Sequence, residues 1–194
     1  METTNVKAII FDCFGVLRPD VLLATYQHFG GDIEQDAVFI HDTVLASNRG
    51  EIPNSREVFA KHFGITVDEW MSAMDAHSGN DQELLAFVHS LKPRYKTAML
   101  SNISRGRLPE IFTPAELASF DEVVASADIG YAKPEPEAYE TVADRLGVRL
   151  EECIFTDDRE EYCDGARAVG MQAILYKNFV QFRTDLEKLL TISS

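Results

Sequence analysis

The sequence predicts an α/β protein: a Rossmann-like parallel sheet flanked by helices, with a small helical cap inserted near its start. Three observations carry this. Short apolar runs recur along the chain, at VKAIIF (6–11), KTAML (96–100), DEVVAS (121–126), CIFT (153–156) and QAILY (172–176). Near-continuous runs of this length fit strands buried on both faces of a sheet. Amphipathic stretches fill most of the gaps, and strands alternating with helices require right-handed parallel crossovers. The stretch from about 20 to 80 breaks that alternation.

Taken in order, the first run ends on Asp12, and the segment 18–80 then carries helical pattern and turn signals without a convincing buried strand. It reads as a helical cap between two parts of one core, 1–17 and 81–194. Gly/Ser linkers and low-complexity tracts are absent, which places short hinges near Leu17–Asp20 and Ser78–Asp81. Such a lid excludes water and selects substrates. Beyond it, DQELLAFVHSLK (81–92) sets Leu84, Leu85, Val88 and Leu91 on one helical stripe. PEPEAYETVADRLG (134–147) opens on prolines and stops at Gly147, and Thr184–Leu190 reads as the closing helix.

The 194 residues are 45% hydrophobic, enough for a core. A formal net charge of -14 makes the average surface repel phosphate backbones and anionic lipid, against nucleic-acid and membrane binding and in favour of a small-molecule partner. No apolar run approaches the roughly 18 residues of a membrane span, and METTNVKAIIFD lacks the basic and long apolar regions of a signal peptide. A cytoplasmic location is the expectation. Cys13, Cys153 and Cys163 show neither CxxC nor Cys/His metal spacing, so they read as reduced thiols. Cys13 has no nearby His to activate it and fits simple burial.

Four places can carry chemistry, and each has a plain alternative. In FDCFGVL (11–17), Asp12 leaves a hydrophobic strand just before a glycine; it is either a site carboxylate or a turn-former. In MLSNIS (99–104), Ser101 and Asn102 offer a hydroxyl, an amide and backbone N–H groups to an anion, or form an ordinary turn. In GYAKPEPEAY (130–139), Lys133 is restrained by the proline after it and can face the strand ends or solvent. In CIFTDDREEYCDGARAVG (153–170), the adjacent Asp157 and Asp158 either hold a hard divalent cation or favour a helix N-terminus. In a parallel sheet all four would gather beyond the carboxyl ends of the strands.

The order Asp, Ser, Lys, Asp-Asp on successive strand ends resembles the four motifs of the haloacid dehalogenase-like (HAD) superfamily, over the whole chain. NRGEIPNSREVF (48–59) is similar, more loosely, to the small caps of its glucose-1-phosphatase-like branch. The resemblance implies Asp12 as nucleophile, Ser101 as the phosphate-binding hydroxyl and Lys133 as the fixed cation, and the amide of Asn102 beside Ser101 is a further candidate substrate contact. It implies a magnesium ion held by Asp12, Asp157, Asp158 and the backbone carbonyl of Phe14. The implied activity is hydrolysis of a small phosphorylated metabolite through an aspartyl-phosphate.

Phe14 departs from the pattern, because most phosphatases of this superfamily carry an acid there that protonates the leaving group. Asp20 is the nearest other carboxylate in the chain after the motif. Phe14 and the LSN sequence also resemble 2-haloacid dehalogenases, which use the same Asp on carbon without a metal. Where those enzymes carry an Asn and a later Asp, this chain has Arg159 and Tyr162, and it keeps the Asp157–Asp158 pair. A binding or regulatory protein with little turnover is the reading from a third class. His28, His41, Arg49, Arg56, His62, Trp70 and His77 are candidate lid contacts that also fit ordinary cap packing. The oligomeric state is left open.

Overall fold

Ala8 to Phe11, four consecutive buried residues, form the middle strand of a five-stranded sheet in the computed structural model, which describes residues 5–76 and 78–192. The strands are β1 (Ala8–Phe11), β2 (Lys96–Ser101), β3 (Glu122–Ala125), β4 (Cys153–Asp157) and β5 (Gln172–Leu175). All are parallel, in the order β3-β2-β1-β4-β5. Each apolar run picked out above is a strand. The chain winds from β1 to β2 and β3 on one side and to β4 and β5 on the other, so β1 is the topological switch point.

Alternation along β1 sends side chains to two apolar layers. Ile9 and Phe11 pack with Leu84, Val88, Phe182 and Leu186 on one face. Ala8 and Ile10 pack with Ala138, Tyr139, Val142 and Ala166 on the other. The first layer is supplied by α5 (Gln82–Leu91) and α11 (Phe179–Ile192), the second by α9 (Pro136–Leu146) and α10 (Glu160–Ala168). Three single-turn helices, α6 (Leu108–Ile111), α7 (Pro114–Leu117) and α8 (Ser126–Ile129), line the path between β2 and α9.

Two helix starts differ from the sequence reading. The closing helix begins at Phe179, five residues before Thr184, because Asn178 caps it: its Oδ1 accepts from Gln181 N–H at 2.9 Å. The helix after Lys133 begins at Pro136, since Glu135 N–H is first taken by Ala132 O at 2.8 Å in a turn. Pro136 then occupies the first helical turn, where its missing N–H costs nothing.

Between β1 and α5 the described residues form four helices and no strand longer than a single bridge: α1 (Leu22–His28), α2 (Ala37–Asn48), α3 (Ser55–Phe63) and α4 (Val67–Asp75). Asn54 caps α3, and Thr66 with Glu69 makes a capping box on α4. These helices close on their own apolar cluster of Tyr26, Ile40, Phe59, Ala60 and Trp70, separate from the two layers on the sheet. The two connections to the sheet run side by side, with Asp81 N–H donating to Leu17 O at 2.8 Å. Among the described residues no helix is long and apolar enough to cross a membrane.

Candidate active site

Asp12 is the first residue beyond β1, held by its N–H to Thr156 O at 2.9 Å. The chain then turns sharply, with Leu17 and Arg18 both donating to Cys13 O at 2.9 and 3.0 Å. Gly15 makes the turn at φ +85°. A Cβ there would stand 2.2 Å from Asp158 Oδ2, so only glycine lets the Asp158 carboxylate come so close to the β1 loop.

Lys133 reaches the same place from the loop before α9. Asn102, one residue past β2, donates from Nδ2 to Lys133 O and accepts from Lys133 N–H, each at 2.8 Å. Glu135 braces the turn by accepting from Ala132 N–H at 2.8 Å. On the far side α10 packs tightly, because Gly165 has no side chain where a Cβ would stand 2.8 Å from the Tyr139 hydroxyl and 2.9 Å from Pro134 Cβ. The Lys133–Pro134 peptide is cis.

Held this way, the Lys133 ammonium is fully buried and lies 2.6 Å from both Asp12 Oδ1 and Asp157 Oδ2. The rings of Phe155 and Tyr162 lie 5.2 and 5.1 Å from it, adding cation–π attraction. Asp157 is fully buried too, and its other oxygen accepts from Arg159 N–H at 3.0 Å. Asp158 is exposed beside them. Oxygens of Asp12, Asp157 and Asp158 all lie within 4.8 Å of one another.

Burial acts against the charge on Lys133, but Asp12 and Asp157 outweigh it and hold the amine above the ordinary lysine value. Burial raises the Asp12 carboxyl above the usual range, against the pull of Lys133. Partial burial and the Asp157 charge raise Asp158 as well. Three carboxylates against one ammonium leave an excess of negative charge that a cation would relieve. The donor set, all carboxylate oxygen, suits a hard divalent ion. The Cys13 thiol is buried and pushed up by that burial and by Asp12, which makes it inert as a nucleophile.

The cluster opens on a cavity of about 170 Å³ lying between the strand ends and helices α1 to α4. Asp12, Phe14, Asn102, Lys133 and Asp158 line it on the sheet side. Ser101 does not; its hydroxyl is buried one residue behind the wall and finds no hydrogen-bond partner of normal geometry, with the Cys13 thiol nearby. Of the lid candidates, Arg56 and Trp70 line the cavity. His62 is spent within the cluster of α1 to α4, stacked on Tyr26 and Phe39, and Arg49 pairs with Glu135 at 2.8 Å. His41 sits on the surface beside Asp42, His28 packs edge-on against Phe29, and His77 lies outside the described residues. Arg107, Ser104 and Asn48 also line the cavity: Arg107 sits in a loop without periodicity or motif spacing, Ser104 closes the MLSNIS stretch, and Asn48 ends α2.

A model of the haloacid dehalogenase-like hydrolase family matches residues 6–170. A phosphatase of Mycobacterium tuberculosis is 44% identical over 71 residues, 37% of this chain and 33% of that protein. This chain's match therefore spans about a third of that relative's length. A solved structure of a predicted HAD-like family hydrolase from Porphyromonas gingivalis superposes with a TM-score of 0.77 at 22% identity, over 95% of this chain and 98% of that one. The L-2-haloacid dehalogenase of Xanthobacter autotrophicus, with chloropropionic acid covalently bound, gives 0.66 at 22% identity over 94% of this chain and 83% of that one. Likeness at these identities is a likeness of fold. With the family match covering most of its length, the chain belongs to the haloacid dehalogenase-like hydrolases.

Proposed function

We propose that this hydrolase is a magnesium-dependent phosphatase that cleaves a small phosphorylated metabolite through an aspartyl-phosphate on Asp12. The observation that carries the reading is the buried Lys133 bridging Asp12 and Asp157, with Asp158 alongside. A carboxylate cluster with one fixed cation and room for another is suited to a dianionic group. The name of the Mycobacterium tuberculosis relative supports the same class.

Asp12, Asp158 and the Phe14 carbonyl would hold magnesium, with Asp157 assisting. When bound, the ion supplies divalent charge that offsets the three carboxylates and polarises a phosphoryl oxygen. Asp12 attacks phosphorus in line with the leaving oxygen; the phosphorus–oxygen bond to the leaving group breaks as the bond to Asp12 forms. Lys133 orients Asp12 and neutralises charge on the transferred group. Asn102 lines the cavity and also fixes the Lys133 backbone. Ser101, buried one residue behind the cavity wall, would reach a phosphoryl oxygen only by turning its hydroxyl into the cavity. Water then attacks phosphorus, frees phosphate and restores the Asp12 carboxylate.

Phe14 in the cavity wall favours a second reading, attack of Asp12 on a halogen-bearing carbon. The acids Asp157 and Asp158 weigh against it, because that chemistry has no use for a cation. Release of phosphate from p-nitrophenyl phosphate, with and without magnesium, should be measured beside halide release from haloacetates. Magnesium-dependent phosphate release supports the phosphatase. Halide release without phosphate release would replace it with a dehalogenase, and neither activity would point to a binding protein.

A further inference from the structure

We infer that the substrate carries a carboxylate besides its phosphate, joined to it by an apolar spacer, and that Arg107 with Arg56 receives this second anion. The inference rests on the phosphatase reading and names the substrate class for the same cavity.

Charged side chains line the cavity in two groups: Asp12, Asp20, Lys133, Asp158 and Arg159 about the carboxylate cluster, and Arg56 with Arg107 on α3 and the loop after β2. Asp12 and Asp158 follow β1 and β4, whereas Arg107 lies in the loop after β2, on the opposite side of β1 in the sheet order. Arg56 comes from the start of α3 and meets it there. Arg56 donates to Glu110 at 2.7 and 3.3 Å, and Arg107 donates to the same carboxylate at 2.9 Å. Two guanidiniums thus share one hydrogen-bonded acid. Asp75 approaches Arg107 no closer than 3.8 Å and is 61% exposed, so water screens it. Both arginines line the cavity; Glu110 and Asp75 do not.

The Arg107 side chain is only 14% exposed, yet among the described residues it spends one of its five N–H donors on a hydrogen bond. A bound carboxylate matches the fork of a guanidinium. One excess positive charge suits a carboxylate monoanion better than a second phosphate dianion. Leu22, Val44, Trp70, Met71 and Met74 supply an apolar wall for the spacer.

The test uses phosphate esters of phenols that bear a para carboxylate directly or through one or two methylenes, each paired with its carboxamide. In the methylene-spaced pairs the leaving oxygen is closely matched, so the ratio of kcat/KM for acid over amide reads the carboxylate alone; in the directly substituted pair the amide is the better leaving group, and only Kd is compared. With magnesium present, at least one spacer length should favour the acid by roughly tenfold or more, the size expected for charge-assisted hydrogen bonds. That ratio should fall toward one in Arg107→Met, fall in part in Arg56→Met, and survive in part in Arg107→Lys. The same pairs, titrated calorimetrically into Asp12→Asn protein, should show the same ratio in Kd. Ratios near one at every spacer length, or a preference untouched by Arg107→Met, would overturn the inference. Turnover failing while the Kd ratio holds would instead count against the phosphatase reading alone.

Discussion

One side chain grips both ends of the Lys133 residue: Asn102 donates to its carbonyl and accepts from its N–H, each at 2.8 Å. The ammonium at the far end of that residue must sit 2.6 Å from two carboxylates at once, so small backbone shifts are felt there. Asn102→Leu, which keeps the volume and removes both bonds, is expected to lower kcat on p-nitrophenyl phosphate by roughly a hundredfold, the size of a misplaced catalytic group. Steady-state kinetics beside a melting curve check this; a folded variant with unchanged kcat would show that Lys133 needs no such grip.

Lys133 also has a structural duty that can be separated from catalysis. Removing one partner from a buried ion pair leaves uncompensated charge and costs about 3–5 kcal/mol. Lys133→Met should therefore be destabilised by about that amount in denaturant unfolding without added magnesium. Adding Asp12→Asn to it removes one stranded carboxylate and should restore part of the loss. A double variant no more stable than Lys133→Met would mean that Asp12 is not ionised in the variant fold.

Phe14 lines the cavity where most phosphatases of this superfamily resemble one another in carrying an acid. Without a proton donor there, rates should depend steeply on the acidity of the leaving group. Aryl and acyl phosphates are expected to exceed simple alkyl monoesters by about 10²–10⁴-fold, the usual contribution of a positioned acid. A plot of log kcat/KM against leaving-group pKa should be steep in the wild type and flatter in Phe14→Asp. A flat wild-type plot would assign the proton to another group, and Asp20, which lines the same cavity, is the carboxylate to replace next.

All five strands were legible because a doubly covered parallel sheet demands runs such as AIIF and CIF that stay apolar through both faces. Asp12, Lys133, Asp157 and Asp158 were legible because charges at the ends of such runs are conspicuous, and the fold does bring them together. What stayed hidden depends on contacts between segments far apart in the chain. Nothing local says that Asn102 turns its amide to Lys133, that Gly15 clears space for Asp158, or that Arg107 and Arg56 share Glu110. The early start of the last helix was a local miss, since Asn178 with Gln181 is a readable cap.

Glu152, just before β4, gives a prediction away from the site. Lys7 Nζ at 2.7 Å, Arg149 N–H at 2.9 Å and the Arg149 guanidinium at 3.1 Å hold its carboxyl down at about 2, against an ordinary 4.5. A depressed folded value means the stabilisation is complete above the unfolded value and is lost as the pH falls from about 4.5 toward about 2. The gap in melting temperature between wild type and Glu152→Gln should stay constant at and above about pH 6 and close through that acid window. A gap that persists at about pH 2 would place the effect in packing rather than in charge.

The central claim is that Asp12 becomes covalently phosphorylated, and an acid quench during turnover tests it most directly. Wild-type protein mixed with p-nitrophenyl phosphate and magnesium, quenched within one turnover, digested and weighed by mass spectrometry, should yield the peptide containing Asp12 with one added phosphoryl group. Asp12→Asn should yield no adduct and no phosphate release. Phosphate release at the wild-type rate by Asp12→Asn, with no adduct on the wild-type peptide, would contradict the account.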